Sequence, residues 1–267
     1  MIRVASYNIR KAIGTDRRRR PDRTLMVLNE LEADVVALQE ADRRFGSRAS
    51  AIPAPFLEEH SDYKPVPLDI RAASIGWHGN ALLVRKRVEI VEHHLFHLPA
   101  LEPRGAVLAD LDIDGMRLRV VGMHLDLSGL WRRRQAHAIL AHLAQRDDRV
   151  PTVLMGDLNE WSTRGGSLRE FGPFLHFAPC GRSFHARRPI AELDRIMVTP
   201  DLEVVACGTH RSMTSRRASD HLPIWADIRA SASAQASGSA FSGVASGRGW
   251  ASRLRSSISS QSRNGRR

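Results

Sequence analysis

The sequence predicts an α/β fold in which two stacked sheets, mixed and largely antiparallel, are flanked by helices. Three observations predict it. Strand-like and helix-like patterns alternate along the first 230 residues, which is typical of layered α/β architectures. The strand-like segments in the middle of the chain follow one another without helices, which favours antiparallel pairing. The chain is 42% hydrophobic over 267 residues, enough for one large domain with a substantial core.

The first forty residues contain a strand, a helix and a second strand. The apolar-rich segment 2–9 predicts the first strand. Pro21 and Asp22 are a favourable helix start, and apolar residues then recur near helical spacing as far as Leu31. The run 34–39 is mostly apolar, as is typical of a buried strand.

A series of strands follows, and a long helix interrupts it once. The next apolar runs are residues 80–84, 88–95, 106–113 and 118–125. Asp114 and Gly115 separate the last two, and this dipeptide is a hairpin-turn signal. A helix is predicted at about 130–145. The later strands are predicted at 152–155, 193–198, 202–209 and 222–228.

The composition changes after Ala230, where Ser, Ala, Gly and Arg dominate. Residues 231–267 offer too little apolar surface to offset the entropy of ordering, so we predict a disordered basic tail behind a domain at 1–230. Trp250 and Leu254 are interpreted as stray apolar residues of this tail. Truncation after Ala230 is therefore expected to leave folding intact.

The chain is basic, with a formal net charge of +11. Six arginines and no acid lie in the tail, which leaves about +5 for the domain, from 34 Lys+Arg and 29 Asp+Glu. A basic balance favours polyanions such as nucleic acid or anionic lipid surfaces, although a solvated arginine-rich surface fits equally well.

Cysteine usage and hydropathy predict a cytoplasmic monomer. Two cysteines do not make a disulfide framework and suit a reducing compartment. The first residues show no secretory signal, and no apolar stretch reaches the ~18–20 residues that span a bilayer. We therefore expect no transmembrane segment.

Polar residues follow several of the predicted strands directly. Asp157 and Asn159 stand in Gly-Asp-Leu-Asn, where Gly156 permits a turn. An acid and an amide two residues apart can orient a water and hold a phosphate oxygen, although this is also ordinary turn chemistry. Asp220 and His221 precede the last strand in the same way, and such a pair can bind a hard cation and a phosphoryl group.

Other polar residues end or interrupt apolar runs. Asn8, Glu40 and His124 each close a predicted strand, and each is equally explained as the first solvated residue after the core. Asp194 interrupts an apolar segment, and a buried acid needs a partner. His221 is the candidate for that partner. Trp161 is interpreted as local packing.

Seven short motifs occur along the chain in a fixed order. They are Ser-Tyr-Asn-Ile, Leu-Gln-Glu, Gly-Asn-Ala-Leu-Leu, His-Leu-Asp-Leu, Gly-Asp-Leu-Asn, Leu-Asp-Arg-Ile and Ser-Asp-His-Leu-Pro. Together they resemble the endonuclease/exonuclease/phosphatase family, which includes deoxyribonuclease I, exonuclease III, bacterial sphingomyelinases and inositol polyphosphate 5-phosphatases. The resemblance spans residues 2 to about 228. It implies a four-layer α/β/β/α sandwich with the active site in a cleft at one end of the sheets.

The resemblance also implies a Mg²⁺-dependent phosphoesterase, with Mn²⁺ as the alternative metal. Glu40 is then the main metal ligand, with Asn8 and Asp220 beside it. Asp157 orients or deprotonates the attacking water, and Asn159 contacts the phosphoryl oxygens.

The remaining family positions concern charge and substrate. His221, held by Asp194, stabilises charge on phosphorus, and His124 contacts the phosphate or protonates the leaving oxygen. His124 argues against the abasic-site branch, which usually has tyrosine there. Asn80 and Arg104 resemble substrate-facing positions, but no carboxylate stands at Asn80 to orient His124.

The substrate stays open between nucleic acid, phospholipid and small phosphorylated molecules. The alternative function is an inactive family member that binds nucleic acid or an anionic membrane. The complete set of site residues favours the enzyme, which acts on phosphoric ester bonds, and residues 1–230 are then its catalytic domain.

Overall fold

The computed structural model describes residues 1–43, 49–68, 74–100, 104–146, 150–232, 252 and 254–256. Within these residues, two six-stranded sheets pack face to face and helices cover both outer surfaces. The predicted α/β class with two mixed, largely antiparallel sheets is confirmed. The layers follow the order helices, sheet, sheet, helices.

The strands are β1 (Ile2–Asn8), β2 (Val35–Gln39), β3 (Tyr63–Pro65), β4 (Ala81–Arg85), β5 (Glu89–Leu98), β6 (Arg104–Ile113), β7 (Met116–His124), β8 (Thr152–Asp157), β9 (His176–Phe177), β10 (Asp194–Val198), β11 (Leu202–Thr209) and β12 (Ile224–Ala230). The helices are α1 (Pro21–Leu31), α2 (Ala54–His60), α3 (Gly129–Ala144), α4 (Leu168–Phe171) and α5 (Ser215–Ala218), and Arg10–Ala12 form a 3-10 turn. The sequence did not predict β3, β9, α2, α4 or α5. These elements are too short to be stable alone and depend on packing.

The two sheets share one strand plan. The first has the order β11-β12-β1-β2-β4-β3, and the second has the order β5-β6-β7-β8-β10-β9. Each contains one parallel pair, β1 with β2 and β7 with β8, and the remaining pairs are antiparallel. A parallel pair needs a crossover, which α1 supplies in the first sheet and α3 in the second.

The main core lies between the sheets. Val4, Ala37, Val120, Met155 and Ile196 are fully buried there and come from five different strands. Separate apolar clusters join the outer face of the first sheet to α1 and α2, and the outer face of the second to α3 and α4. Burial of apolar surface on both faces of each sheet stabilises this arrangement at about 25 cal/mol per Å².

The two ends of the sandwich have different roles. Asn8 lies opposite Gln39, His124 opposite Asp157, and Asp157 opposite Asp194. We call the end that carries these residues the site end. The other end carries the turn at Asp114 between β6 and β7, and we call it the hairpin end.

Gly156 has another role than the predicted turn. It lies within β8, whose last residue is Asp157. A Cβ at Gly156 would fall 1.9 Å from the carbonyl oxygen of Met123 on β7. Glycine therefore permits the close approach of β7 and β8 immediately before His124 and Asp157.

Leu254 differs from the expectation of a stray apolar residue. It lies in a helical turn, is fully buried, and belongs to the cluster beneath α3. Arg255 Nη1 donates to the carbonyl oxygens of Ala144 and Arg146 at the end of α3, at 3.2 and 3.3 Å. The other residues of the predicted tail beyond Ala232, except Ser252 and Ser256, lie outside the described residues.

A membrane-crossing helix needs a long apolar stretch. Across the described ranges, no helix combines the length and hydropathy that this requires.

Candidate active site

The alternation of side chains along the strands directs four polar residues into the space between the sheets. Asn8 continues the inner face of β1 after Val4, and His124 continues that of β7 after Val120. Asp157 and Asp194 do the same on β8 and β10, two residues from apolar residues of the main core. Because these strands reach the site end in register, the four side chains meet at one edge of the core.

Asp157 is the centre of this group and is 1% exposed. Its Oδ2 accepts a 2.9 Å hydrogen bond from Asn8 Nδ2, which joins the two sheets. The Nε2 atoms of His124 and His221 lie 3.5 and 3.7 Å from the same oxygen. The backbone N–H of Asn159 donates to Oδ1 at 2.9 Å. The carboxylate is thus fixed in orientation, with two imidazoles beside one oxygen.

His221 is held by Asp194, as the sequence predicted for an acid in an apolar segment. His221 Nδ1 lies 2.8 Å from Asp194 Oδ2, which also accepts a hydrogen bond from Ser183 Oγ. Burial lowers the pKa of His221, but the carboxylates of Asp194 and Asp157 outweigh it and raise this pKa to about 10. His221 is therefore an imidazolium at neutral pH.

Three residues of the site lie close enough to share one ion. Ligand atoms of Asp157, Asp194 and His221 lie within 4.8 Å of one another, and all three residues are buried. Two carboxylates therefore lie beside the imidazolium of His221. Asp194 Oδ1 is also buried and has no hydrogen-bond partner among the described residues. A buried carboxylate oxygen without a donor is a candidate ligand for a cation.

The predicted metal ligands lie at the same end but contact cationic side chains. Lys11 Nζ pairs with Glu40 Oε2, and Arg10 Nε lies 3.2 Å from Asp220 Oδ2. Asn8 Oδ1 accepts from the backbone N–H of Arg10 at 3.1 Å. Carboxylate and amide oxygens are what Mg²⁺ and Mn²⁺ prefer, so the donor set of Asn8, Glu40 and Asp220 fits such an ion.

Several residues around the site have a left-handed backbone, which is uncommon outside glycine. At the site end they are Arg10, Lys11, Ala12, Glu40, His78 and Asn159, with φ between 47° and 57°. A conformation of this kind costs of order 1–3 kcal/mol and tends to occur at functional sites. Here Glu40 and Asn159 adopt it directly after or close to the ends of β2 and β8.

The three remaining predicted residues are placed as follows. Asn159 Nδ2 donates to the carbonyl oxygen of Leu125 at 2.9 Å. Asn80 is fully buried, its Nδ2 donates to the carbonyl oxygen of Gly105 at 3.0 Å, and its Oδ1 lacks a partner within the described ranges. Arg104 begins β6, and its side chain lies outside the described residues.

Sequence reasoning missed four contacts of the site. They are the hydrogen bond of Ser183 to Asp194, the 2.7 Å bond from Ser219 Oγ to the carbonyl oxygen of Asn8, and the pairing of Lys11 and Arg10 with the acids. Ser219 is the first residue of the Ser-Asp-His-Leu-Pro motif, which is a usable signal. Ser183 carries none, because its role depends on a neighbour that only the fold supplies.

The chain is similar to proteins of one known family. The model of the Endonuclease/Exonuclease/phosphatase family matches residues 5–221. The uncharacterized protein YbhP of Escherichia coli (strain K12) is 28% identical over 162 residues, which are 57% of this chain and 63% of that protein. The chain thus spans less than two thirds of the length of this curated relative.

Two solved structures have the same fold. The endonuclease/exonuclease/phosphatase from Beutenbergia cavernae DSM 12333 has a TM-score of 0.66 and 24% identity, over 86% of this chain and 71% of that chain. A mannosyl-6-phosphatase of Bacteroides thetaiotaomicron VPI-5482 has a TM-score of 0.66 and 20% identity, over 86% of this chain and 100% of that chain. At these identities the likeness shows the fold alone.

Proposed function

The chain belongs to the endonuclease/exonuclease/phosphatase family, and from this premise we propose that it is a metal-dependent hydrolase of phosphoric esters. The observation that carries the proposal is the buried cluster of Asp157, Asp194 and His221, whose ligand atoms lie within 4.8 Å of one another. A fold keeps two carboxylates beside one imidazolium at a cost in stability, and a catalytic role accounts for that cost.

Asn8, Glu40 and Asp220 would hold the metal, for which Mg²⁺ is expected and Mn²⁺ is the alternative. A bound divalent cation supplies positive charge that polarises the phosphoryl oxygens and stabilises the leaving group. Lys11 and Arg10 already lie against two of these ligands. Lys11 and Arg10 neutralise the carboxylates of Glu40 and Asp220, and the two cationic side chains can move toward the negative charge of the substrate.

Asp157 and His221 have complementary roles in the reaction. Asp157, fixed by Asn8, accepts a hydrogen bond from the attacking water and takes its proton. His221 is an imidazolium held by Asp194, and it donates a hydrogen bond to a phosphoryl oxygen as charge develops there. Because Asp194 holds the Nδ1–H of His221, the Nε2–H of His221 can donate to the substrate.

His124, Asn159, Asn80 and Arg104 contact the substrate in this proposal. His124 lies beside Asp157 and protonates the leaving oxygen or binds the phosphate. Asn159 and Asn80 have their amide nitrogens fixed by backbone carbonyls, which leaves amide oxygens to position the substrate. We also propose that residues 1–230 are the catalytic domain of a cytoplasmic monomer and that residues 231–267 are a basic tail.

The substrate class is a phosphate monoester or diester. The Bacteroides structure is a mannosyl-6-phosphatase by name, which supports a small phosphate ester as one class. Nucleic acid and phospholipid are the other classes that the basic surface supports.

Removal of divalent metal is the test of this function. The purified chain should hydrolyse p-nitrophenyl phosphate or bis-p-nitrophenyl phosphate with Mg²⁺ or Mn²⁺, lose that activity in EDTA, and regain it when metal is returned. Full turnover in EDTA after exhaustive dialysis would contradict the proposal. Asp22→Asn, an exposed acid on α1, is the matched control and should keep both activity and metal dependence.

A further inference from the structure

Four segments surround the site, and we call them the rim: residues 127–134, 161–164, 184–190 and 211–217. The rim borders the site directly. Leu127 follows His124 by three residues, and Trp161 follows Asn159 by two. The 184–190 and 211–217 segments lead into Asp194 and His221 respectively.

Side-chain contacts join the rim segments to one another. Arg132 donates from Nη1 to the carbonyl oxygen of Leu127 at 2.6 Å, and its Nε lies 3.3 Å from Glu160 Oε2, next to Trp161. The rings of Trp161 and Phe184 meet edge to face, with centroids 6.0 Å apart. The first two segments are thus joined to the third.

The third and fourth segments meet at Thr15. Arg187 Nη2 donates to the carbonyl oxygen of Thr15 at 3.1 Å, and the N–H of Thr15 donates to the carbonyl oxygen of Arg217 at 3.1 Å. In addition, the N–H of Ala186 donates to the carbonyl oxygen of Asp220 at 2.6 Å. The rim is therefore one connected surface around the site end.

Large apolar side chains protrude from every segment of the rim. They are Leu127 (76% exposed), Leu130 (50%), Trp161 (61%), Ile190 (59%) and Met213 (85%). The prediction that Trp161 serves local packing is therefore incomplete, since most of its surface faces solvent. Clustered exposed apolar side chains mark an interaction surface rather than ordinary surface scatter.

The same segments are strongly basic. They contain no Asp or Glu. Their exposed arginines are Arg133, Arg134, Arg164, Arg187, Arg188, Arg211, Arg216 and Arg217. None of these eight forms an ion pair with a carboxylate in the part of the chain that the structure describes.

Two of these arginines lie near the start of α3. Arg133 and Arg134 are the fifth and sixth residues of this helix, and both are exposed. Arg134 stacks over Trp131, with its guanidinium carbon 4.8 Å from the ring centroid. The contact with Trp131 leaves Arg134 exposed, so that an external anion can reach the guanidinium groups of both arginines.

We propose that the rim binds the surface of an anionic phospholipid membrane. The occupant must offer both negative charge and apolar volume. A nucleic acid satisfies the arginines and a stacking Trp161, but it offers aliphatic side chains such as Leu127 and Met213 no apolar environment. The interface of an anionic bilayer offers phosphate groups to the arginines and acyl chains to the apolar side chains.

Binding of the rim to a membrane requires neither hydrolysis nor a metal. This binding would orient the site end toward the lipid headgroups. The chain would then lie on the membrane and meet phosphoesters at its surface. The tail's six arginines are unchanged in every variant below, so differences between variants report the rim alone.

Vesicle sedimentation in EDTA tests the proposal. The full chain should sediment with vesicles of phosphatidylcholine mixed with phosphatidylglycerol, and should stay in solution with phosphatidylcholine alone. The triple variant Leu127→Ser, Ile190→Ser, Met213→Ser should bind the anionic vesicles at least ~30-fold more weakly, given the apolar groups that it removes. The double variant Arg216→Gln, Arg217→Gln should bind ~20-fold more weakly.

Matched controls come from outside the four rim segments. Met26, Val91 and Val205 are 56%, 41% and 43% exposed, and their triple serine variant should bind as the wild-type chain does. Lys86→Gln with Arg117→Gln removes two exposed charges at the hairpin end and should also have little effect. Melting curves confirm that each variant is folded.

Two results would overturn the proposal. One is a wild-type chain that does not sediment with anionic vesicles at low salt. The other is vesicle binding that the arginine variant weakens and the apolar variant leaves unchanged, together with tighter binding to a single-stranded oligonucleotide. That pattern would assign the rim to nucleic acid.

Discussion

The two ends of the sandwich each bury charge, and they balance it differently. Toward the hairpin end, Arg119 donates two 2.7 Å hydrogen bonds to Asp110, and both residues are at most 2% exposed. At the site end, Asp157 and Asp194 share the imidazolium of His221. The first cluster pairs one carboxylate with one guanidinium, whereas the second places two carboxylates beside one imidazolium.

The difference separates a structural cluster from a reactive one. Arg119 precedes His124 on β7 by five residues, or about 17 Å, but its side chain faces α3 while His124 faces the other sheet. A paired buried ion stabilises relative to a broken pair. Two neighbouring buried carboxylates repel each other, so they cost stability, and a role in binding or catalysis accounts for that cost. Mutations at the two ends should therefore separate stability from turnover.

His221→Ala should have the largest effect, because it acts on both properties. Turnover of bis-p-nitrophenyl phosphate should fall at least ~10²-fold through loss of the charge stabiliser. The free energy of unfolding should fall by about 3–5 kcal/mol, because two buried carboxylates lose their cation. Initial rates and urea melts measure the two effects. His137→Ala is the control, since His137 is half-exposed on α3. Equal stability of the two variants would contradict the proposed difference between the two ends of the sandwich.

Asp157→Asn should affect turnover alone. The rate should fall at least ~10²-fold, because the amide cannot take a proton from water. Thermal stability should stay the same or rise, since one of two neighbouring buried charges is removed. Combined with His221→Ala, the loss of rate should be far smaller than the product of the two effects, because both residues serve one transition state. Near-wild-type rates in a folded Asp157→Asn protein would refute the mechanism.

Asp110→Asn should affect stability alone. It leaves Arg119 buried beside a neutral amide, at an expected cost of about 3 kcal/mol, while turnover stays at the wild-type value. Asp114→Asn is the control, because its pair with Arg87 is largely exposed and contributes only ~0.2–1 kcal/mol. A loss of turnover in Asp110→Asn, measured well below its melting temperature, would show that the two ends are coupled.

Leu254→Ser should have the smallest effect of the series. The side chain is fully buried beneath α3, so its loss should cost about 2 kcal/mol. Turnover should not change, because α3 meets the site only through its first turn. Met26→Ser, 56% exposed, should shift the melting curve little. An unchanged melt for Leu254→Ser would favour the original expectation of a tail without a packing role.

The sequence contained most of the fold because strand periodicity is local. The segment 118–125 corresponds to β7 within two residues, and the hairpin at Asp114 and Gly115 has the expected place. The polar residue at each strand end was visible for the same reason. The pairing of His221 with Asp194 was also predictable, because a buried acid requires a partner.

Other features depend on tertiary contacts that no local pattern encodes. The rim is drawn from four segments that are far apart in sequence, so no single apolar or basic motif announces it. Ser183 reaches Asp194 only because β9 and the following loop fold back on β10. Leu254 follows the same rule, since its burial depends on a surface formed more than a hundred residues earlier.

The shared strand plan gives the molecule an approximate twofold symmetry. β1, β2 and β4 occupy the positions in the first sheet that β7, β8 and β10 occupy in the second. Position by position, Asn8 then corresponds to His124, because each faces the last residue of its parallel partner. Gln39 corresponds to Asp157 in the same way.

The third correspondence completes a division of labour between the halves. Ala81 pairs with Leu38, so the preceding residue, Asn80, lies beside Gln39. Asn80 therefore corresponds to Asp194, which lies opposite Asp157. At these three matched positions the first sheet has only amides, and the second has only ionisable side chains. The amide of Asn8 bonds Asp157 from one sheet to the other. Asn8 thus solvates the carboxylate of Asp157 without adding charge to it, as a water molecule would, but in a fixed orientation.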